Sequence, residues 1–307
     1  VPEPRTGEVR IEILATDVSF SNILMQHGQY PGAPAVPFTP GYDLVGRVDT
    51  IGPQVSGIEP GQLVAALTVY GSYSQYICLP SHELVAVPEG IDPAEAVCLV
   101  LSYVTAYQML HRMAHVKPGE RILVHGAAGG VGTALLQLGT LAGVEMYGTA
   151  SQNKHELVTS LSAIPINYKT EDFVKRIFAL TGDGVDVVFD PIGGTHLKQS
   201  FQTLRKGGRL VAYGFSSVRE HGGNPLLNIA WQSIRMMLWS LSPSGKKGMF
   251  YSITGSKKKH PEWFRHDLSI LLTLLQQGKI KPVIARRLPL AEVVSAHKLL
   301  EDGEVEG

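Results

Sequence analysis

The hydrophobic pattern changes character partway along the chain. From about residue 121, short apolar runs alternate with longer amphipathic stretches. The runs at 121–124, 145–150, 163–168, 185–190, 209–215 and 248–253 are mainly apolar or small, with Val, Ile and Leu foremost at 121–124 and 185–190, and show little polar alternation. Strands buried on both faces of a parallel sheet read this way. Helical stretches at 171–180 and 195–204 lie between them. Six strands with helical crossovers predict a doubly wound α/β sheet. Residues 1–103 have another rhythm. Their β runs are broken by turn sequences, Pro40-Gly41, Ile51-Gly52-Pro53, Pro60-Gly61 and Pro88-Glu89-Gly90, which predict a small irregular β domain. After residue 256 come an amphipathic helix at 263–278, a stretch at 280–290 and a last helix at 290–301. The expected division is a β domain over 1–103, a sheet domain over 104–255 and a C-terminal return to the β domain over 256–307. A ligand cleft is expected between the two domains.

The run His125-Gly126-Ala127-Ala128-Gly129-Gly130-Val131-Gly132 follows the first buried strand and opens a helix-like stretch, Thr133-Ala134-Leu135-Leu136-Gln137-Leu138. Strand, small-residue turn and helix form the context of a dinucleotide loop. There Gly129 would let the backbone approach a pyrophosphate, and Gly132 would let the helix pack close to the strand. Free N–H groups of the helix start would face the phosphate.

Composition narrows the partners. Of 307 residues 44% are hydrophobic and 18% charged, with a formal net charge of +0, so nothing recommends nucleic acid or a membrane surface. No apolar run reaches the roughly 18 residues of a spanning helix. The two cysteines, Cys78 and Cys98, have no metal spacing and fit a reducing cytoplasmic setting. Val1-Pro2-Glu3-Pro4 and Glu306-Gly307 read as mid-domain, so a chain cropped at both ends is expected.

The glycine loop, together with Pro40-Gly41-Tyr42-Asp43-Leu44-Val45-Gly46, Ile166-Asn167-Tyr168, Gly184-Val185-Asp186-Val187-Val188-Phe189-Asp190 and Gly207-Gly208-Arg209-Leu210-Val211, resembles the medium-chain dehydrogenase/reductase superfamily. The match is to its zinc-independent, zeta-crystallin-like NADPH:quinone oxidoreductase branch, and it covers essentially the whole chain. The resemblance implies a GroES-like β domain, a Rossmann domain with a six-stranded doubly wound parallel sheet, NADPH in the cleft, and a homodimer joined through the Rossmann sheet edges. It also implies further β structure before residue 1 and after Gly307.

Zinc alcohol dehydrogenases of this superfamily hold metal with a Cys and a Gly-His-Glu motif. The corresponding residues are Ser19 and Gly41-Tyr42-Asp43, with the third ligand position near Leu101. These cannot build the thiolate and imidazole shell of zinc, so no metal is expected. Without a Lewis acid the chemistry should be reduction of an acceptor that takes hydride readily.

The second sheet strand ends without the acid that holds an NAD ribose; Ser151 and Lys154 stand there instead. A 2′-phosphate suits such donors. By resemblance Lys154 and Tyr168 border that phosphate, while Thr105, Pro191, Ile192, Tyr213 and Gly214 border the nicotinamide half. Neutral donors suit the oxyanion formed on a quinone or enone. The segment 18–30 matches a cleft-lining family segment, although Ser19, Asn22 and Leu24 stand where relatives often carry Asn, Asp and Tyr. Ser19, Asn22 and Tyr42 are expected to face the cleft, with Tyr30 at its edge. The expected function is NADPH-dependent reduction of quinones or α,β-unsaturated carbonyls. The competing readings are an enoyl-thioester reductase, which needs a basic mouth such as Lys246-Lys247 or Lys257-Lys258-Lys259, and a cofactor-binding protein with little turnover.

Overall fold

The computed structural model describes residues 1–214, 225–241, 243–303 and 305–307. The chain divides into two compact units, Val1–Val104 with Ser256–Val305, and Thr105–Gly255 with Glu306–Gly307.

The first unit is built on five strands, β1 (Glu8–Ala15), β2 (Asp43–Ile51), β3 (Leu63–Leu67), β4 (Tyr76–Pro80) and β5 (Val85–Ala86), in the order β4-β1-β2-β3-β5. All neighbours pair antiparallel. Val9 and Ile11, two residues apart, point into a core with Leu44, Val48, Val64 and Ala66, as the period of a strand requires. Two short helices follow strand exits: α1 (Phe20–Gln26) and α2 (Pro93–Cys98). The second starts where Asp92 accepts the Ala94 N–H at 3.0 Å with Pro93 in the first turn, a favourable helix start. Two late helices complete the unit, α10 (Pro261–Gln276) and α11 (Val293–Glu301). Phe264, Leu268, Leu271, Leu272 and Leu275 form the buried stripe of α10, at helical spacing.

The second unit carries β6 (Arg121–His125), β7 (Glu145–Ala150), β8 (Ala163–Asn167), β9 (Val185–Asp190), β10 (Leu204–Ala212) and β11 (Lys247–Phe250), in the order β11-β10-β9-β6-β7-β8. Every pairing is parallel. Val187, Val188 and Phe189 are consecutive and all fully buried, because both faces of the sheet are covered. The helices are α3 (Val104–Tyr107), α4 (Gly130–Ala142), α5 (His155–Ser160), α6 (Phe173–Thr181), α7 (His196–Gln202), α8 (Pro225–Ser240) and α9 (Ile253–Lys259). Asp172 starts α6 by accepting the Val174 and Lys175 N–H groups. Strand order reverses between β6 and β9, which makes their carboxyl ends the switch point where ligands of open α/β sheets bind. No described helix is long and apolar enough to cross a membrane.

Two strands differ from the sequence expectation by more than one residue at an end. The last strand, expected over 248–253, stops at Phe250 and Ile253 already begins α9. Its partner β10 ends at Ala212, so only the Tyr251 N–H finds a further carbonyl, that of Ala212. The strand expected over 209–215 begins earlier, at Leu204, and ends at Ala212. Phe215 lies outside the described residues.

Candidate functional site

β6 runs into the glycine loop at His125. Gly126 has φ +64°, a conformation that side chains resist. Gly129 stands before α4 in extended backbone, and no side chain caps the helix. Its first-turn N–H groups and dipole therefore favour an anion placed there. A Cβ on Gly129 would meet only the Gly126 carbonyl, at 3.5 Å. A Cβ on Gly132 would fall 2.2 Å from that carbonyl and 2.8 Å from the Ala127 backbone. One glycine keeps the approach open; the other permits helix and loop to touch. Ala128, buried, accepts the Gly307 N–H at 2.9 Å, and Gly130 and Val131 form the first helical turn.

The next two strands end side by side, with Ala150 opposite Asn167 in the β7–β8 register. This brings Ser151, Lys154 and Tyr168 to one edge of the sheet. Ser151 donates to Asn153 Oδ1 at 2.7 Å, and Tyr168 is 55% exposed. Partial burial lowers the Lys154 ammonium, the Glu306 carboxylate opposes that shift, and Lys169 adds to it. No carboxylate side chain belongs to the strand end Thr149-Ala150-Ser151.

At the end of β9 the chain turns through Pro191, Ile192, Gly193 and Gly194, the two glycines at φ +79° and +60°. The Tyr213 N–H donates to the Asp190 carbonyl at 3.0 Å. A Cβ on Gly214 would lie 2.4 Å from the Pro191 carbonyl. Pro191, Ile192, Tyr213 and Gly214 thus occupy two touching strand ends. Thr105 sits in α3 and is buried. Sequence reading passed over Asp190, whose Oδ1 accepts the Ile192 and Gly193 N–H groups at 2.7 and 3.1 Å. Burial raises its carboxyl, yet hydrogen bonds from His196 and Ser200 and the nearby imidazoles outweigh that and hold it at about 2.

In the first unit Ser19 and Asn22 form one pair. Asn22 Oδ1 accepts both the Ser19 N–H at 2.9 Å and the Ser19 hydroxyl at 2.8 Å. Its amide Nδ2 is buried with no hydrogen-bond partner. Tyr30 and Tyr42 form a second pair, hydroxyl to hydroxyl at 2.5 Å with rings edge to face. Tyr42 is fully buried. Beside it, the Asp43 carboxyl accepts the Asp17 N–H through Oδ1, while Oδ2 is buried without a partner. Burial, then the Asp17 charge, pushes Asp43 well up, and burial brings Asp17 up to about 6. Neither carboxyl was singled out as ionically unusual in the sequence.

The positions that the resemblance assigns to catalytic zinc do not fit a metal. Leu101 has no ligand atom, Ser19 spends its hydroxyl proton on Asn22, and Tyr42 engages Tyr30.

Comparison with known proteins agrees with this architecture. Residues 5–89 match the family described as "Alcohol dehydrogenase GroES-like domain", and residues 162–307 match "Zinc-binding dehydrogenase". The synaptic vesicle membrane protein VAT-1 homolog of Rattus norvegicus is 31% identical over 306 residues, 98% of this chain and 76% of that protein. Its Danio rerio counterpart is 29% identical, and there the chain spans 63% of the relative's length. The chain belongs to the medium-chain dehydrogenase/reductase superfamily, in its quinone oxidoreductase-like branch. Among solved structures, Escherichia coli quinone oxidoreductase complexed with NADPH superposes with a TM-score of 0.87 at 27% identity, covering 100% of this chain and 92% of that one. CurK enoyl reductase superposes with a TM-score of 0.83 at 28% identity, over 100% and 91%. The superfamily fold, a GroES-like antiparallel sheet and a Rossmann parallel sheet, is the one observed.

Proposed function

We propose that this chain is an NADPH-dependent reductase of quinones and α,β-unsaturated carbonyls that works without zinc. The bare N-terminus of α4 behind an open Gly129 carries the reading, because it is shaped for a pyrophosphate. Ser151, Lys154 and Tyr168 would receive the 2′-phosphate. Thr105, Pro191, Ile192, Tyr213 and Gly214 would border the nicotinamide, which supplies hydride when bound. Ser19, Asn22, Tyr30 and Tyr42 are assigned to the acceptor. Asn22 Nδ2, held in place through Ser19, and the Tyr30–Tyr42 hydroxyls are neutral donors and suit an enolate or hydroquinone oxygen better than an alkoxide that needs a Lewis acid. The similarity to CurK enoyl reductase favours one second reading, an enoyl-thioester substrate on the same site. A cytosolic setting fits the two free thiols of Cys78 and Cys98.

Steady-state NADPH oxidation with 9,10-phenanthrenequinone, an alkenal and crotonyl-CoA tests the assignment. Turnover is expected with the first two, none with a simple ketone, and none in the reverse direction with ethanol and NADP+. Tyr42→Phe, which removes one hydroxyl, should slow turnover by roughly ten- to a thousandfold at unchanged cofactor affinity. Preference for crotonyl-CoA would select the second reading, and zinc-dependent ethanol oxidation would refute both.

Cofactor choice is a separate expectation. NADPH should bind at least about tenfold tighter than NADH, about 1.4 kcal/mol, and Lys154→Ala should narrow that gap while leaving NADH nearly unaffected. Titration by cofactor fluorescence measures both; equal affinities in the parent protein would contradict it.

Assembly is the third expectation. β11 is an edge of the six-stranded sheet, and Met237, Leu238 and Leu241 beside it are 68%, 60% and 73% exposed. An unpaired strand flanked by apolar side chains invites another copy. A two-fold dimer with antiparallel β11 strands is therefore expected, and sedimentation showing a monomer at micromolar concentration would exclude it.

A further inference from the structure

At the switch point between β6 and β9, directly behind the proposed cofactor contacts, four polar side chains converge. His125 ends β6, Asp190 ends β9, and His196 and Ser200 lie one turn apart on α7. His125, Asp190 and Ser200 are fully buried, whereas the His196 side chain is 20% exposed.

Their protons have one consistent arrangement. Ser200 Oγ donates to Asp190 Oδ2 at 2.6 Å, because a carboxylate can only accept. Ser200 Oγ then has lone pairs left for His125 Nε2, 3.1 Å away, so that nitrogen carries the imidazole proton. His125 Nδ1 is therefore bare and accepts from Thr149 Oγ1 at 3.0 Å. Thr149 Oγ1 in turn accepts the Gly126 N–H at 3.3 Å. From the other side His196 Nδ1 donates to Asp190 Oδ2 at 2.8 Å. Burial keeps His125 neutral, its pKa held at about 3, so this arrangement persists across physiological pH.

Among the described residues, His125, Asp190 and His196 form a trio whose potential ligand atoms lie within 4.8 Å of one another. The Ser200 hydroxyl already reaches all three, at 3.1, 2.6 and 3.3 Å from His125, Asp190 and His196. Hydrogen bonds thus satisfy the cluster without an ion.

The chain of bonds joins three segments that the cofactor reading uses separately. Through Thr149 it reaches the start of the glycine loop and the strand end leading to Ser151. Through Asp190 Oδ1 it reaches the Ile192 and Gly193 amides of the turn that borders the nicotinamide. We propose that this network is a strut that fixes the nicotinamide-side turn relative to the phosphate loop, and that His196 is its positioning residue. His196 is the natural lever, because it is the one of the four that is not fully buried and it holds the carboxylate on which the 191–194 turn hangs. Its ring also packs on Phe173 and His125, with centroids 5.0 and 4.4 Å away. Packing and hydrogen bonding at this residue can therefore be separated by substitution.

The proposal rests on the cofactor reading, and its test keeps the two apart. His196→Phe retains a planar ring and loses the donor; His196→Asn places an amide N–H near the position of Nδ1. Each protein is titrated with NADPH and with 2′-phospho-ADP-ribose, which has the phosphates and adenosine but no nicotinamide. In H196F the NADPH Kd should rise about tenfold, while that of 2′-phospho-ADP-ribose stays within about twofold. H196N should restore NADPH binding. Hydrogen exchange of the cofactor-free protein gives a second readout: the Ile192 and Gly193 amides should exchange about tenfold faster in H196F and at the parent rate in H196N. Equal weakening of both ligands, failure of Asn to rescue, or unchanged exchange at those amides would overturn the strut. So would stoichiometric zinc bound by the parent and lost in H196F, which would make the four groups a metal site. If the parent protein binds neither ligand, the cofactor reading fails by itself, and amide exchange alone still decides whether His196 holds the turn.

Discussion

Gly132→Ala should destabilise the Rossmann unit and weaken NADPH binding by about a hundredfold, roughly 2.7 kcal/mol. The atoms nearest the added methyl are all backbone, the Gly126 carbonyl at 2.2 Å and Ala127 at 2.8 Å, and backbone yields less readily than the end of a side chain. Helix α4 or the loop must move, at a cost of about 1–3 kcal/mol in overpacking, and the first-turn N–H groups move with it. A drop in melting temperature of about 4 °C or more should accompany the lost affinity. Gly129→Ala is the informative control. At φ −90° its methyl makes only ordinary van der Waals contact with the Gly126 carbonyl, at 3.5 Å, so melting should barely change while the approach of a phosphate is obstructed. Calorimetry and cofactor titration on the two variants read both effects. Parent-like melting and affinity in G132A would remove the close approach of loop and helix from the account.

Acidification from pH 7 to pH 5 should move the two units in opposite directions. In the Rossmann unit burial lowers His125 to about 3. The unfolded chain takes up a proton near 6.5 that the folded unit refuses, so stability present above that pH is lost as pH falls toward 3. Between pH 7 and 5 the loss is about 2 kcal/mol. Asp190, held at about 2, adds a loss of the same sign only below about pH 4. In the first unit burial raises Asp17 to about 6, and burial with the Asp17 charge raises Asp43 well above its usual range. A carboxyl with a raised folded pKa stabilises at low pH and loses that contribution as pH rises through the folded value. Acidification should therefore return about 1 kcal/mol or more to that unit. His297, lowered by burial, works against this gain, but it is one group set against two carboxyls. Hydrogen exchange at both pH values, corrected for intrinsic rates, would follow β6 and β9 separately from β2. Parallel shifts in both sheets would refute the assignment of these protonation states.

Much of the fold could be read from the chain because buried parallel strands announce themselves. The runs at 145–150 and 185–190 coincide with β7 and β9; in the second, consecutive Val187, Val188 and Phe189 carry the apolar character that a doubly covered sheet demands. Lys247 to Thr254 is apolar, aromatic and β-branched, and it reads as one long strand. Partner length decided otherwise, and Ser252, accepting the Gly255 N–H at 3.3 Å, turns the segment into a helix. Glycine roles at 129 and 132 were legible because a strand, a turn and a helix frame them. The Ser19–Asn22 pair left a local trace too, a polar residue three positions apart at a helix start. Nothing local linked Tyr30 to Tyr42, or His125 to residues 65 and 75 positions later. Those contacts follow from strand order, and only knowing that β6 lies beside β9 places His125 near Asp190.

The two units also differ in how the ribosome delivers them. One is nearly continuous, residues 105–255, so all but its last two described residues have been made before α10 begins. The other waits. Its sheet and α1 come from residues 1–104, but α10 and α11, which pack on them, are synthesised only after the Rossmann sheet strands. A nascent chain halted near residue 255 would hold a nearly complete Rossmann sheet beside an antiparallel sheet lacking its closing helices. The apolar residues of β5 and α1 that those helices cover would then be open to chaperones.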